Sequence, residues 1–159
     1  MTVDKKSVIL VLVFTCGLLI GALLAVILLP QQVHPRAVYS ENAPAPIGPY
    51  SQAVQVGDFV FLSGQIGIDP VTGNLTGSSV EGQTTQVMEN LKEVLKASGL
   101  SFKDVVQTRI YLTNMNDWTA VNGIYAVSFN NTYPARAAVQ VAGLPKGAKV
   151  EIEMVAQER

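Results

Sequence analysis

The chain has 159 residues, 48% of them apolar and only 14% charged, with 11 Lys plus Arg against 12 Asp plus Glu. That balance argues against an intrinsically disordered chain and against a general binder of polyanions. One cysteine, Cys16, excludes an intramolecular disulfide and a four-thiolate zinc cluster, and one histidine, His34, excludes every motif that needs two.

In chain order, Val8 to Leu29 is a run of 22 residues without a charge. A helix rising about 1.5 Å per residue over that length would cross a hydrocarbon core of about 30 Å, so the run predicts a transmembrane helix. A cleaved secretory signal is the rival reading, but its apolar core should be shorter and end in a small-x-small site, whereas this run ends in Leu28-Leu29-Pro30. Cys16 reads as a small buried thiol and not as a lipid acceptor, since apolar residues continue well beyond it. Lys5 and Lys6 precede the run and only Arg36 follows closely, so the positive-inside rule expects a single-pass membrane protein with a cytoplasmic N-terminus and its main domain outside the cytoplasm. Gly17, Gly21 and Ala25 share one helix face and could support helix–helix contact. The expected organisation is a cytoplasmic tip and anchor over residues 1–30, a proline-containing tether over 31–49, and one domain over 50–159, without internal repeats.

Within that domain, Ala53 to Val56 and Phe59 to Ser63 flank Gly57-Asp58 and predict a hairpin. A loop is expected from Asp69 to Ser79. Val87, Leu91, Val94 and Leu95 recur at helical spacing between Val80 and Ser98, and Gly99 stands where a helix stop belongs. Val105 to Leu112 predicts a strand, and Asn116 or Asp117 can cap a helix bearing Trp118, Val121, Ile124, Tyr125 and Phe129, which ends at Pro134. Ala135 to Val141 and Lys149 to Ala156 are two further strands. The order β-β-α-β-α-β-β predicts an α+β domain, a sheet with two helices packed on one face, with the apolar and aromatic stripes as its core. The glycines compose neither a dinucleotide fingerprint nor a phosphate loop.

Polar residues in these apolar strand contexts are the candidates for chemistry: Tyr50, Ser63, Gln65, Arg136 and Glu151. Arg136 stands among small residues, Pro134-Ala135 before it and Ala137-Ala138 after, which leaves room around a planar fork suited to a carboxylate. Glu151 alternates with Val150 and Ile152 and so belongs to the opposite face of its strand from those aliphatics. On spacing alone, an ordinary solvated or ion-paired sheet face is the preferred reading of both residues, since strands routinely alternate in this way.

A series of blocks resolves this further: Ile47-Gly48-Pro49-Tyr50-Ser51-Gln52-Ala53, Ser63-Gly64-Gln65-Ile66, Val121-Asn122-Gly123-Ile124-Tyr125, Tyr133-Pro134-Ala135-Arg136-Ala137-Ala138, Leu144-Pro145-Lys146-Gly147 and Val150-Glu151-Ile152-Glu153. In that order and spacing, from about Tyr39 to Arg159, the chain resembles the Rid family, the reactive intermediate deaminases or YjgF-like proteins, and specifically its deaminase-competent subgroup. The resemblance implies a chorismate-mutase-like fold in a homotrimer with clefts between subunits, and residues 50–159 as a deaminase domain. It implies hydrolysis of enamines and imines such as 2-aminoacrylate to 2-keto acids and ammonia, the activity of a 2-iminobutanoate/2-iminopropanoate deaminase, with no metal and no organic cofactor. By position, Arg136 would hold the substrate carboxylate, Glu151 would activate water or shuttle a proton, and the Gly64 backbone would orient the ligand, with Tyr50, Ser63 and Asn122 lining the pocket. Many relatives carry a cysteine two residues after the arginine, where this chain has Ala138; no step of the expected reaction needs that thiol. The expected partners are thus a small 2-imino acid, a membrane through residues 8–29 and two further copies of the chain. A non-catalytic trimeric ligand-binding or scaffold protein is the alternative. A ribonuclease role fits poorly, because residues 31–159 carry a net negative formal charge and no basic stripe interleaved with aromatics.

Overall fold

The computed structural model describes residues 34–130 and 132–158. Six strands and two helices follow one another as β1 (Arg36–Val38), β2 (Ala53–Val56), β3 (Phe59–Ile66), α1 (Val80–Ala97), β4 (Val105–Leu112), α2 (Trp118–Val127), β5 (Ala135–Gln140) and β6 (Val150–Gln157). They form one sheet in the order β1-β2-β3-β6-β4-β5. All neighbours are antiparallel except β4 and β5, which run parallel because α2 carries the chain between them.

Local chemistry explains the elements. Gly57 takes φ 57° at the first position of the two-residue β2–β3 turn, where the right-handed strand twist calls for a positive φ. Ser79 caps α1 by accepting the Gly82 N–H at 3.1 Å. At the other end Gly99, with φ 76°, closes the helix: its N–H and that of Leu100 return to the carbonyls of Lys96 and Leu95 at 3.0 and 2.9 Å. Val87, Leu91, Val94 and Leu95 are fully buried against Val60, Leu62, Ile110, Ile152 and Met154, so the expected stripe of α1 faces the sheet. Tyr125 of α2 and Phe129, two residues beyond the end of that helix, join the core, whereas Trp118, expected with them, is 39% exposed at the start of the helix. Both helices cover one face of the sheet. The other face carries Phe59, Phe61 and Val139, all substantially exposed.

Three features depart from the sequence reading. Arg36–Val38, within the expected tether, is an edge strand, with Ala37 opposite Val54. Gln52 makes this possible: buried to 1% exposure, its amide accepts the Ser40 N–H at 2.6 Å and donates to the carbonyls of Ser40, Ala43 and Pro44. β3 runs on past Ser63 to Ile66 through a bulge, in which Ser63 and Gly64 fill the interval between the pairs Leu62–Met154 and Gln65–Ile152. The third departure is a correction to the fold class and to the location. No helix among the described residues is long and apolar enough to cross a membrane. The 18 residues of α1 include Glu81, Glu89, Lys92, Glu93 and Lys96, and α2 has only 10 residues. The span expected at Val8–Leu29 lies outside the described residues, so the described architecture is the α+β domain without a membrane helix, and neither single-pass anchoring nor an outward-facing domain is retained.

Candidate active site

Arg136, the second residue of β5, pairs with Thr108 of β4, whose side chain is buried on the helix-covered face. Its guanidinium therefore meets α2. Nη2 donates to Asn122 Oδ1 at 2.8 Å, and Cζ sits 4.7 Å from the centre of the Tyr125 ring. A planar cation laid on an aromatic face and tied at one corner keeps its other N–H groups aimed in a fixed direction. Tyr125 is itself anchored, its hydroxyl donating to Thr108 Oγ1 at 3.1 Å. Burial raises the Tyr125 pKa, with the Thr108 hydrogen bond and the Arg136 charge acting the other way. Asn122, Tyr125, Ala126, Tyr133 and Pro134 complete a cleft of about 490 Å³ around the arginine.

Glu151, the second residue of β6, lies opposite Tyr111 of β4 and Ile66 of β3, on the open face. Its carboxylate rests directly over the Gly64 backbone: a Cβ at Gly64 would overlap Glu151 Oε1 and stand 2.8 Å from Cδ. Only glycine allows that approach. The bulge brings Ser63 and Gly64 to this place, and Ser63 is held there by its hydroxyl donating to the Ser51 carbonyl at 2.6 Å and its N–H donating to the Gln52 carbonyl at 3.0 Å. Partial burial lifts the Glu151 carboxyl above the usual range, and the nearby Glu153 adds to the rise. Ile47, Tyr50, Ser63, Gly64, Ile66 and Pro145 line the surrounding cleft of about 250 Å³. The Tyr50 hydroxyl accepts the Ile47 N–H at 3.2 Å, which turns the ring back on its own loop.

The expected site residues thus fall into two groups. Tyr50, Ser63, Gly64 and Glu151 share one cleft, and Asn122 and Arg136 share the other. The two key side chains point to opposite faces of the sheet. They are also two strands and three residues apart in register, about 14 Å between their Cα atoms from ideal strand spacings. No small ligand bridges them within one chain. Sequence reasoning missed Tyr125 as the support of Arg136, although Asn122 and Tyr125 at i and i+3 share a helix face, and it missed the apolar wall of Ile66 and Pro145, which no polar signal marks.

Comparison with known proteins adds to this geometry. The endoribonuclease L-PSP family profile matches residues 40–158. The chain is 49% identical over 121 residues to the mouse protein named 2-iminobutanoate/2-iminopropanoate deaminase, a match that covers 76% of this chain and 90% of the relative. It is 48% identical to the Homo sapiens protein of the same name, again over 76% of this chain and 88% of the relative. Among solved structures, a Yersinia pestis protein described as one of unknown function in the conserved Rid family superposes with a TM-score of 0.76 at 45% identity, covering 78% of this chain and 99% of that one.

Proposed function

The chain belongs to the endoribonuclease L-PSP family, the Rid proteins, and on that premise we propose that it hydrolyses small 2-imino acids to 2-keto acids and ammonia in a cleft shared between copies of the chain in a homotrimer. The observation that carries this reading is the placement of Arg136 and Glu151. Each has a prepared cleft, the two are incompatible with one ligand in a single chain, and Arg136 is on the edge strand β5, which among the described residues pairs only with β4. The exposed apolar side chains Phe59, Phe61 and Val139 on the open face supply a surface for association.

In this mechanism Arg136 of one copy grips the substrate carboxylate with its fork and so places C2 over Glu151 of the next copy. The enamine first tautomerises to the imine. Water then attacks C2 while Glu151 takes one of its protons, forming a carbinolamine. That proton passes to the former imine nitrogen and completes the neutral carbinolamine. Glu151 then takes the hydroxyl proton and delivers it to the amine, and the C–N bond breaks, so that ammonia leaves, the oxygen becomes the keto oxygen and the carboxylate is regenerated. A carboxyl raised above its usual range suits a group that must both accept and return a proton. The names of the mouse and human relatives support the choice of substrate class.

The test is keto-acid release from enzymatically generated 2-aminoacrylate by the purified full chain. Arg136→Ala and Glu151→Gln proteins, each inactive alone, are then unfolded together in equal amounts and refolded. With sites built across subunits, random assembly restores about one quarter of the wild-type sites. No restored activity from the mixture sinks the shared cleft, and a wild-type chain without turnover favours the non-catalytic ligand-binding alternative.

A further inference from the structure

The open face beside Glu151 carries a charged pair that the proposed reaction does not use. Arg109 of β4 lies directly opposite Glu153 of β6, and Arg109 Nη1 is 2.5 Å from Glu153 Oε1. Glu153 follows Glu151 by two residues, so both carboxylates project from the same face about 7 Å apart along the strand. Tyr111, directly opposite Glu151, completes a square of four polar side chains on two adjacent strands.

We propose that Arg109 and Glu153 are positioning residues that set the charge of Glu151, Glu153 by like-charge repulsion and Arg109 by drawing the Glu153 carboxylate across to β4 and compensating it. The inference rests on the proposed role of Glu151 for its functional meaning, but its electrostatic content can be read without turnover. The geometry gives the two partners opposite signs. Without the Glu153 charge, the ionised form of Glu151 is opposed less and Arg109 is left to favour it. Without Arg109, an uncompensated anion stands two residues away and the ionised form is opposed more. The upward displacement of Glu151, to which Glu153 contributes after burial, runs in the direction this arrangement requires.

The other charged or titratable groups around Glu151 are few. Tyr111 faces it from β4, and its phenol is raised by burial first and by Glu153 second. Tyr50 stands across the cleft. β3 presents Ser63, Gly64 and Ile66, none of which titrates. Lys149 precedes Glu151 by two residues on its own chain segment, and Lys146, in the adjoining turn, sends Nζ to the Gly73 carbonyl at 2.9 Å. Arg109 is thus the one cation bound to a carboxylate on this part of the face among the described residues.

The experiment is a titration of the Glu151 side-chain carboxyl by carbon-13 NMR in the full chain, with its resonance assigned by its loss in Glu151→Gln. Glu153→Gln is expected to move the midpoint down and Arg109→Gln to move it up, each by about half a unit, with the Arg109→Gln/Glu153→Gln double variant between the two. A clasp that merely fastened two strands would lower the melting temperature in both variants and leave the midpoint in place. Midpoints that stay put, or move in the same direction in both single variants, overturn the proposal. Opposite shifts support it, and the acid limb of the turnover profile should follow them. Shifted midpoints with an unmoved acid limb support the pair and instead overturn the proton-transfer role of Glu151.

Discussion

The two clefts are built by different means. Around Arg136 the scaffold is side chain on side chain: Asn122 and Tyr125, both from α2, hold the guanidinium by one hydrogen bond and one ring face. Around Glu151 the scaffold is main chain: a bulge in β3 brings Gly64 beneath the carboxylate, which lies over its backbone because glycine carries no Cβ there. The first arrangement fixes a permanent charge in direction and leaves its surroundings roomy. The second fixes a titratable group in depth, so that partial burial sets its protonation. It follows that the arginine cleft should tolerate changes in volume and fail on loss of the fork, while the glutamate cleft should fail on the addition of a single methyl group.

The largest expected effect comes from removing the fork. Arg136→Ala should lower kcat/KM by about 10³-fold, in the range for truncating one partner of a charge-assisted pair, while leaving thermal unfolding close to wild type because the side chain is exposed and outside the core. Arg136→Lys should be nearly as poor, since an ammonium cannot reproduce the planar bidentate contact. Steady-state kinetics beside a melting curve checks both, and wild-type-like kcat/KM in either variant breaks the comparison.

Next is Glu151→Gln, expected to reduce kcat by about 10²-fold with a smaller change in KM, because the amide keeps the shape and cannot accept a proton. The stability effect has a defined sign. Burial raises the carboxyl in the folded state, so the wild-type group favours folding most below its unfolded pKa, and that contribution is lost as pH rises through the folded value. Glu151→Gln should therefore be the more stable protein at neutral pH, and the gain should vanish as pH falls through the carboxylate range. Denaturant unfolding at several pH values reads this directly, and a gain that grows toward acid contradicts the burial argument.

Gly64→Ala sharpens the contrast between the clefts. The added Cβ displaces the Glu151 carboxylate, the far end of a flexible side chain that can turn aside, so the expected result is a kcat reduced about tenfold or more with little change in stability. Unchanged activity would mean that the close approach is incidental. The smallest effect belongs to Tyr125→Phe, which keeps the ring under Arg136 and loses the hydroxyl bonded to Thr108. A loss of about 1 kcal/mol in unfolding free energy, with kcat/KM within about twofold of wild type, would show that the ring face and not the hydroxyl supports the arginine.

What could be read without coordinates was periodic or local. The α1 stripe, its Ser79 and Gly99 ends, the turn at Gly57-Asp58 and the strand at Val105 to Leu112 all follow from side-chain spacing and backbone preferences within a few residues, and each stands where its pattern places it. β1 could not be read, because three residues carry no period and their pairing depends on Gln52, a polar side chain buried more than ten residues away in sequence. The extension of β3 was hidden for a related reason. A bulge reverses the alternation, so Gln65 and Ile66 fall on faces that a simple count from Phe59 misassigns.

The residue types of the candidate site were likewise present in the sequence: a fork among small neighbours, an acid between aliphatics and a glycine after a serine. Their chemical possibilities belong to the side chains themselves and need no fold. Tertiary structure decided where they stand. Strand order placed β6 between β3 and β4, which set Glu151 over Gly64 and beside Glu153 and Arg109, and it sent β5 to the edge, where Arg136 turns to α2 on the other face. Alternation along a strand tells which residues share a face but not which strands become neighbours. That order is settled by long-range burial of the common core, and it is what separates the two halves of the candidate site within one chain.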